Sequence, residues 1–291
     1  MQATFDSFAS HLRERDRAER TIQGYLDDLR AFVRWHEQTN GETFLPERLT
    51  PTDVREYRQW LLSRQAAPAS VNRKLAALRA YVHWLRGETL DVRGLESQKL
   101  APRWLDRREQ FALLRESERA LNAASTSAAK TQALRDRAIL LLLLHSGLRI
   151  SELCALRLGD VELTERKGKV IVRAGKGTKR REIPLNQPAR QALRAWLEVR
   201  PEAGEALFLG KRGDALTPAG VHRRLADLAR RAGVEGLSPH TLRHTFAKNL
   251  VDAGVGLERV AALLGHASLN TTRIYVAPGK RDLEQAVERL E

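Results

Sequence analysis

A chain of 291 residues with 50 Lys and Arg against 36 Asp and Glu carries a formal net charge of +14, and its length suits about two domains. A hydrophobic content of 42% is enough for packed cores, and the cationic excess points to a polyanionic partner, nucleic acid first. The single cysteine, Cys154, excludes an intrachain disulfide and a Cys-based zinc site.

The charge is unevenly placed. Residues 1–110 hold 19 basic and 16 acidic side chains, and residues 111–291 hold 31 and 20. The second part therefore supplies most of the attraction to phosphate, the dominant and salt-sensitive part of nucleic-acid affinity.

In chain order, the start MQATFDSFASHLRERDRAER lacks the charged-then-apolar order of a secretory signal. With one cysteine, this leads us to expect a cytoplasmic protein. Phe5, Phe8 and Leu12 have helical spacing. Thr21 is expected to cap a helix over 22–38, with Tyr25, Leu29, Phe32, Val33 and His36 on one face. Asp53 lies near the start of a helix bearing Val54, Tyr57, Leu61 and Leu62. Ser70 can cap another that carries Leu75, Leu78, Val82 and Leu85 and ends at Gly87. Residues 1–88 thus read as a bundle of four helices. Gly94 and Pro102, with little periodicity around them, mark 89–105 as a linker.

Residues 106–291 read as a second domain. Helices are expected near 106–123 and 131–145. The run AILLLLLHSG (138–147) is too short to span a bilayer and reads as a buried helix, so no membrane segment is expected. A further helix starts near Ile150. Val161 and Leu163, Val170 to Val172, and Glu182 with Ile183 then suggest short strands, the last two joined by the turn RAGKGTKRR. Helices return at 188–199, 217–231, 240–253 and 256–264. The domain is mostly helical with one small antiparallel sheet. The last residues, KRDLEQAVERLE, place Leu283, Ala286, Val287 and Leu290 on one face. A helix this short needs a surface, on its own domain or on a neighbour.

The polar residues of the second domain suit attack on a phosphodiester without a metal. The sequence has no Asp/Glu cluster at the spacing of a paired-ion site, so side-chain cations would have to stabilise the charge on the phosphate oxygens. Arg149 and Arg243 are fitted to this, because a guanidinium is always charged and offers two donors to phosphate. His240 and Arg243 form an H-x-x-R pair on one helix face, with Ser238 and Pro239 marking the helix start. Both are expected in the first turn, where free N–H groups favour an anion. Lys176, in a glycine-flanked turn, could protonate a leaving oxygen or could be part of a solvated basic turn. Tyr275 could be a nucleophile if activated, or a half-buried structural tyrosine. His266 could donate to phosphate or cap a helix. Glu152 could orient Arg149 or be an ordinary helix carboxylate. His244 has a supporting or structural place beside Arg243.

Taken together, HSGLRISELCALRLGDV, the G-K-G hairpin, SPHTLRHTFAKNLVDAG and LLGHASLNTTRIY resemble the tyrosine recombinase (phage integrase) family. TIQGYLDDLRAFVRWHEQ and SVNRKLAALRAYVHWL are similar in pattern to that family's core-binding, SAM-like domain, and the nearest resemblance within the family is to its Xer-type members. The resemblance implies a mainly α fold: a four-helix core-binding domain, then a helical catalytic domain with a small antiparallel sheet. It implies that Tyr275 attacks DNA to give a 3′-phosphotyrosine and a free 5′ hydroxyl. In this scheme Arg149, Arg243 and His266 stabilise the transition state, Lys176 is the acid, His240 assists proton transfer and Glu152 and His244 support. No cofactor, metal or ATP is implied. The implied partners are a double-stranded recombination site, clamped between the two domains, and a homo- or heterotetramer that passes through a Holliday junction, with room for accessory proteins. The tail at 281–291 would pack on the next protomer, and the setting would be the nucleoid. With the bundle beginning near residue 1, an additional arm-binding domain is not expected. Two other readings share the motifs: a type IB topoisomerase-like nicking–closing enzyme and a catalytically silent architectural protein.

Overall fold

The computed structural model describes residues 2–96, 102–173, 180–210, 212–266 and 268–276. The chain divides into two compact units between Leu100 and Ala101.

The first unit is built on α1 (Gln2–Glu14), α2 (Glu19–Asn40), α3 (Pro51–Ser63) and α4 (Pro68–Arg86). Their apolar faces meet in a core that includes Phe8, Phe32, Tyr57 and Tyr81. Two helix starts differ from expectation. Helix α2 begins after Ala18 rather than Thr21, and α4 after Ala67 rather than Ser70, neither with a side-chain cap. Glu19 in the first turn of α2 favours the positive helix end, and Pro68 sets the first φ of α4. Helix α3 instead carries a reciprocal cap between Thr50 and Asp53. The buried Asp28 of α2 binds Arg73 and Lys74 of α4 at 2.5 and 3.0 Å.

The stretch expected to be a linker is packed at both ends. Leu90 and Val92 join the first core, and Asn72 hydrogen-bonds both backbone groups of Leu95. Leu105 is buried in the core of the second unit.

That second unit opens with α5 (Arg107–Asn122), α6 (Ser127–Ser146) and α7 (Ile150–Ala155). Helix α6 starts earlier than its apolar run suggests because Thr126 caps it. Its residues 138–144 are buried all round, as a central core helix requires. Strands β1 (Val161–Leu163), β2 (Gly168–Val172) and β3 (Arg181–Pro184) form an antiparallel sheet in that order, with Val170 opposite Val161 and Ile183 and Val172 opposite Arg181. Helices α8 (Gln187–Val199), α9 (Pro218–Ala232), α10 (Pro239–Asp252) and α11 (Leu257–Leu264) complete the unit. Two single 3-10 turns follow, Leu269–Thr271 and Arg273–Tyr275. Among the described residues, no helix is long and apolar enough to cross a membrane.

Candidate active site

The site is organised around the C-terminal end of α11. Three successive carbonyls there receive three arginines from three elements. Arg181 of β3 donates from Nε to Leu263 at 3.0 Å. Arg243 of α10 donates from Nη2 to Leu264 at 2.7 Å. Arg149, just before α7, lies 3.4 Å from the Gly265 carbonyl. A helix C-terminus carries unpaired carbonyls and partial negative charge, so guanidinium groups are its natural partners.

The chain turns into and out of this cluster at glycines. Gly147 closes α6 in the left-handed region at φ 62°, and a Cβ there would lie 2.5 Å from Phe246 and 2.8 Å from Leu264. Its carbonyl accepts from Nη1 of Arg243 at 2.5 Å. Gly265 closes α11 at φ 66°, where a Cβ would meet Arg181 at 2.9 Å. Both positions need positive φ and close approach at once.

Glu152 is the carboxylate that ties two of these cations, Arg149 and Arg181, together. It accepts from Arg149 Nη1 at 2.9 Å and from the Arg149 backbone N–H at 2.8 Å. It also accepts a two-pronged pair from Arg181 at 2.9 and 2.8 Å. Burial works against a charge on Glu152, but the Arg181 and Arg149 hydrogen bonds outweigh it and hold the carboxyl below its ordinary range. Arg181 was not among the sequence candidates. Its signal was present: in a strand, residues two apart share a face, so Arg181 lies on the face of the inward Ile183.

The H-x-x-R pair splits. His240 is exposed at the second position of α10, whereas Arg243, one residue beyond the first turn, is buried. Burial pushes the Arg243 guanidinium down to about 10, helped by the charges of Arg149 and Arg181, so it stays cationic at neutral pH. Only two of its five N–H donors are engaged by the carbonyls described, leaving donors for a phosphate.

His266 follows directly on the end of α11. Its Nδ1 lies 2.9 Å from the hydroxyl of the fully buried Thr272. Burial, then the charges of Arg243 and Arg149, bring its pKa down to about 4, so the ring is neutral at working pH. The unfolded chain therefore takes up this proton first. The stability due to His266 is complete above about pH 6.5 and is lost as pH falls toward 4. Melting temperatures across that window should drop, and His266→Gln should lessen the drop.

Tyr275 is only 1% exposed, packed with Phe246, Ala247, Val260 and Leu264. Its hydroxyl lies 2.7 Å from Nδ1 of His244. Burial raises the phenol above its ordinary range and Arg243 works against that rise. Burial, His240 and Arg243 lower His244. The Cys154 thiol, pushed up by burial to about 11, is a poor nucleophile. Lys176 lies outside the described residues. Arg149, Glu152, Arg243, His244, His266 and Tyr275 all belong to the network around α11 and α10, and Thr272 and Arg181 are the members that sequence reasoning missed.

Residues 112–281 match the Phage integrase family, and residues 5–89 match the Phage integrase, N-terminal SAM-like domain. Tyrosine recombinase XerC of Corynebacterium glutamicum is 34% identical over 99% of this chain and 92% of its own length. Tyrosine recombinase XerC of Mycobacterium sp. (strain KMS) is 36% identical over 94% of each chain. In fold, the chain is similar to the XerH site-specific recombinase in a post-cleavage complex with a palindromic difH substrate. The TM-score is 0.76, with 23% identity over 96% of this chain and 84% of that one. The chain belongs to the phage integrase family. It is a Xer-type tyrosine recombinase, an enzyme of site-specific DNA recombination.

Proposed function

We propose that the cluster at the end of α11 is the strand-transfer site, with Tyr275 as nucleophile. The observation that carries this is the tyrosine's place among Arg243, His244 and His266, in a network that Glu152 and Arg181 tie to Arg149. Attack by the Tyr275 oxygen on a DNA phosphorus forms a 3′-phosphotyrosine and releases a 5′ oxygen. Arg149 and Arg243 stabilise the charge on the non-bridging oxygens. With the Thr272 hydroxyl donating to Nδ1, the His266 proton sits on Nε2, where it serves as a neutral donor to phosphate. Lys176 delivers the proton to the leaving oxygen, and the exposed His240 assists proton transfer. The free 5′ hydroxyl of a partner strand then attacks the phosphotyrosine, so the bond's energy is retained and no cofactor is consumed.

The DNA partner is a duplex recombination site, as for the XerH relative, whose solved complexes carry difH. Two sites are joined by a tetramer of this chain, or of this chain with a paralogue, working at the nucleoid in the cytoplasm. The first unit, residues 1–88, would grip the DNA together with the catalytic unit, residues 106–291. Support for protomer exchange comes from the apolar spacing of Leu283, Val287 and Leu290. A pocket of about 480 Å³, lined by Leu144, Phe246, Leu250 and Leu263 among others, is of the kind that such a tail would fill.

The test uses chromosomal DNA captured by the protein, cloned as two copies on one supercoiled plasmid, with a chelator and no nucleotide. Recombinant circles and a junction intermediate are expected. Relaxation of the supercoils without exchange would favour a nicking–closing enzyme instead. Binding without any strand breakage would favour an architectural protein.

A further inference from the structure

We propose that His244 is itself catalytic, its Nδ1 taking the phenolic proton of Tyr275 as the tyrosine attacks the scissile phosphate. This rests on the reading of Tyr275 as nucleophile and assigns the fate of its proton.

The geometry is direct. A Nδ1 to Oη separation of 2.7 Å is a short hydrogen bond, and the two rings are 5.6 Å apart at 49°. Among the described residues, His244 is the hydrogen-bond partner of this hydroxyl; the rest of the ring lies against Phe246, Ala247, Val260 and Leu264. His240, the other histidine of α10, is exposed at the helix start. His244 follows Arg243 in sequence, so one helix fixes both the proton acceptor and the cation that faces phosphate.

The charged and titratable groups facing His244 are His240 and Arg243 on α10, Tyr275 in the last turn and His266 at the end of α11. Burial, with His240 and Arg243 beside it, lowers the imidazole below its ordinary range, and in the tautomer this proposal assigns the phenol donates to Nδ1 while the ring proton sits on Nε2. An arriving phosphodiester brings negative charge into this cationic pocket. That charge offsets the cations and makes Nδ1 more basic, so substrate binding prepares the acceptor. In the forward step the Oη–P bond forms, the P–O5′ bond breaks and the phenolic proton moves to Nδ1. The departing oxygen takes its proton from a separate donor, the role given above to Lys176. In rejoining, the imidazolium returns its proton to the phenol oxygen.

The experiment is single-turnover cleavage of a nicked suicide duplex by the full chain, as wild type, His244→Ala and His244→Gln, over a range of pH. Both variants should bind the duplex as wild type does and form the Tyr275 adduct about 10²–10⁴-fold more slowly. Their rates should climb with hydroxide where the wild-type rate is level, and added imidazole should restore part of the alanine variant's rate. Glutamine keeps a hydrogen-bond acceptor but cannot take a proton. A glutamine variant as fast as wild type would therefore overturn the proposal. So would either variant cleaving faster than wild type, which would make His244 a latch. If the variants fail to hold DNA, wild type on a 5′-bridging sulfur substrate decides. That leaving group needs no proton, so a persisting slowing in deuterated solvent reports the phenolic transfer, and no slowing overturns it. Absence of a wild-type adduct, or an adduct on another residue, would instead strike the nucleophile assignment.

Discussion

A Tyr275→Phe enzyme is expected to bind its duplex site with unchanged affinity and salt dependence, yet to give no covalent adduct on a nicked suicide substrate. The two halves of this result have separate physical origins. Affinity comes chiefly from Lys and Arg at phosphates, and the substitution removes no charge. The phenylalanine ring retains the packing against Phe246, Ala247, Val260 and Leu264. What is lost is the hydroxyl and its bond to His244, worth about 0.5–1.5 kcal/mol of stability, which is too little to unfold the unit. Adduct formation is read on a denaturing gel and affinity by titration at several salt concentrations. An adduct that survives the change would sink the assignment.

Arg243→Lys is expected to lose about 100-fold or more in cleavage rate while keeping its charge. Arg243 reaches the Gly147 and Leu264 carbonyls with separate nitrogens and still has donors to spare. A lysine ammonium is a single point with three donors and cannot span both carbonyls while meeting a phosphate. One buried carbonyl left without its partner costs about 1–3 kcal/mol, so the melting temperature should fall as well. Single-turnover cleavage and thermal melting test this together. Cleavage within a few-fold of wild type would show that charge alone suffices and that the guanidinium shape is irrelevant.

Much of the fold was readable because its signals are local. The apolar spacing of α2 and α4, the start of α3 near Asp53, the all-apolar run of α6 and the three strands around Val170 are each written within a few residues. Helix starts were less legible where no side chain caps the helix, as at Ala18 and Ala67. Within the site, the order of Arg149, His240, Arg243, His266 and Tyr275 identified the family. Their physical states depend on tertiary contact and were not legible. Nothing in H-x-x-R says that Arg243 is buried while His240 is exposed. Thr272 gives no sequence signal, since its partner His266 reaches it only through the turn after α11. Arg181 did give one, through strand alternation, but a basic turn beside it masked a cation that faces inward.

The three arginines on the end of α11 also bear on when ordering is completed. A free arginine side chain keeps about 2 kcal/mol of rotamer entropy, which is lost when it is fixed. Here Arg181 and Arg243, and more loosely Arg149, are held by backbone carbonyls before DNA arrives. The loss is thus borne when the chain folds, not at each catalytic turnover. If this cluster is the strand-transfer site, as proposed, an entering phosphodiester would meet guanidinium groups already held in place.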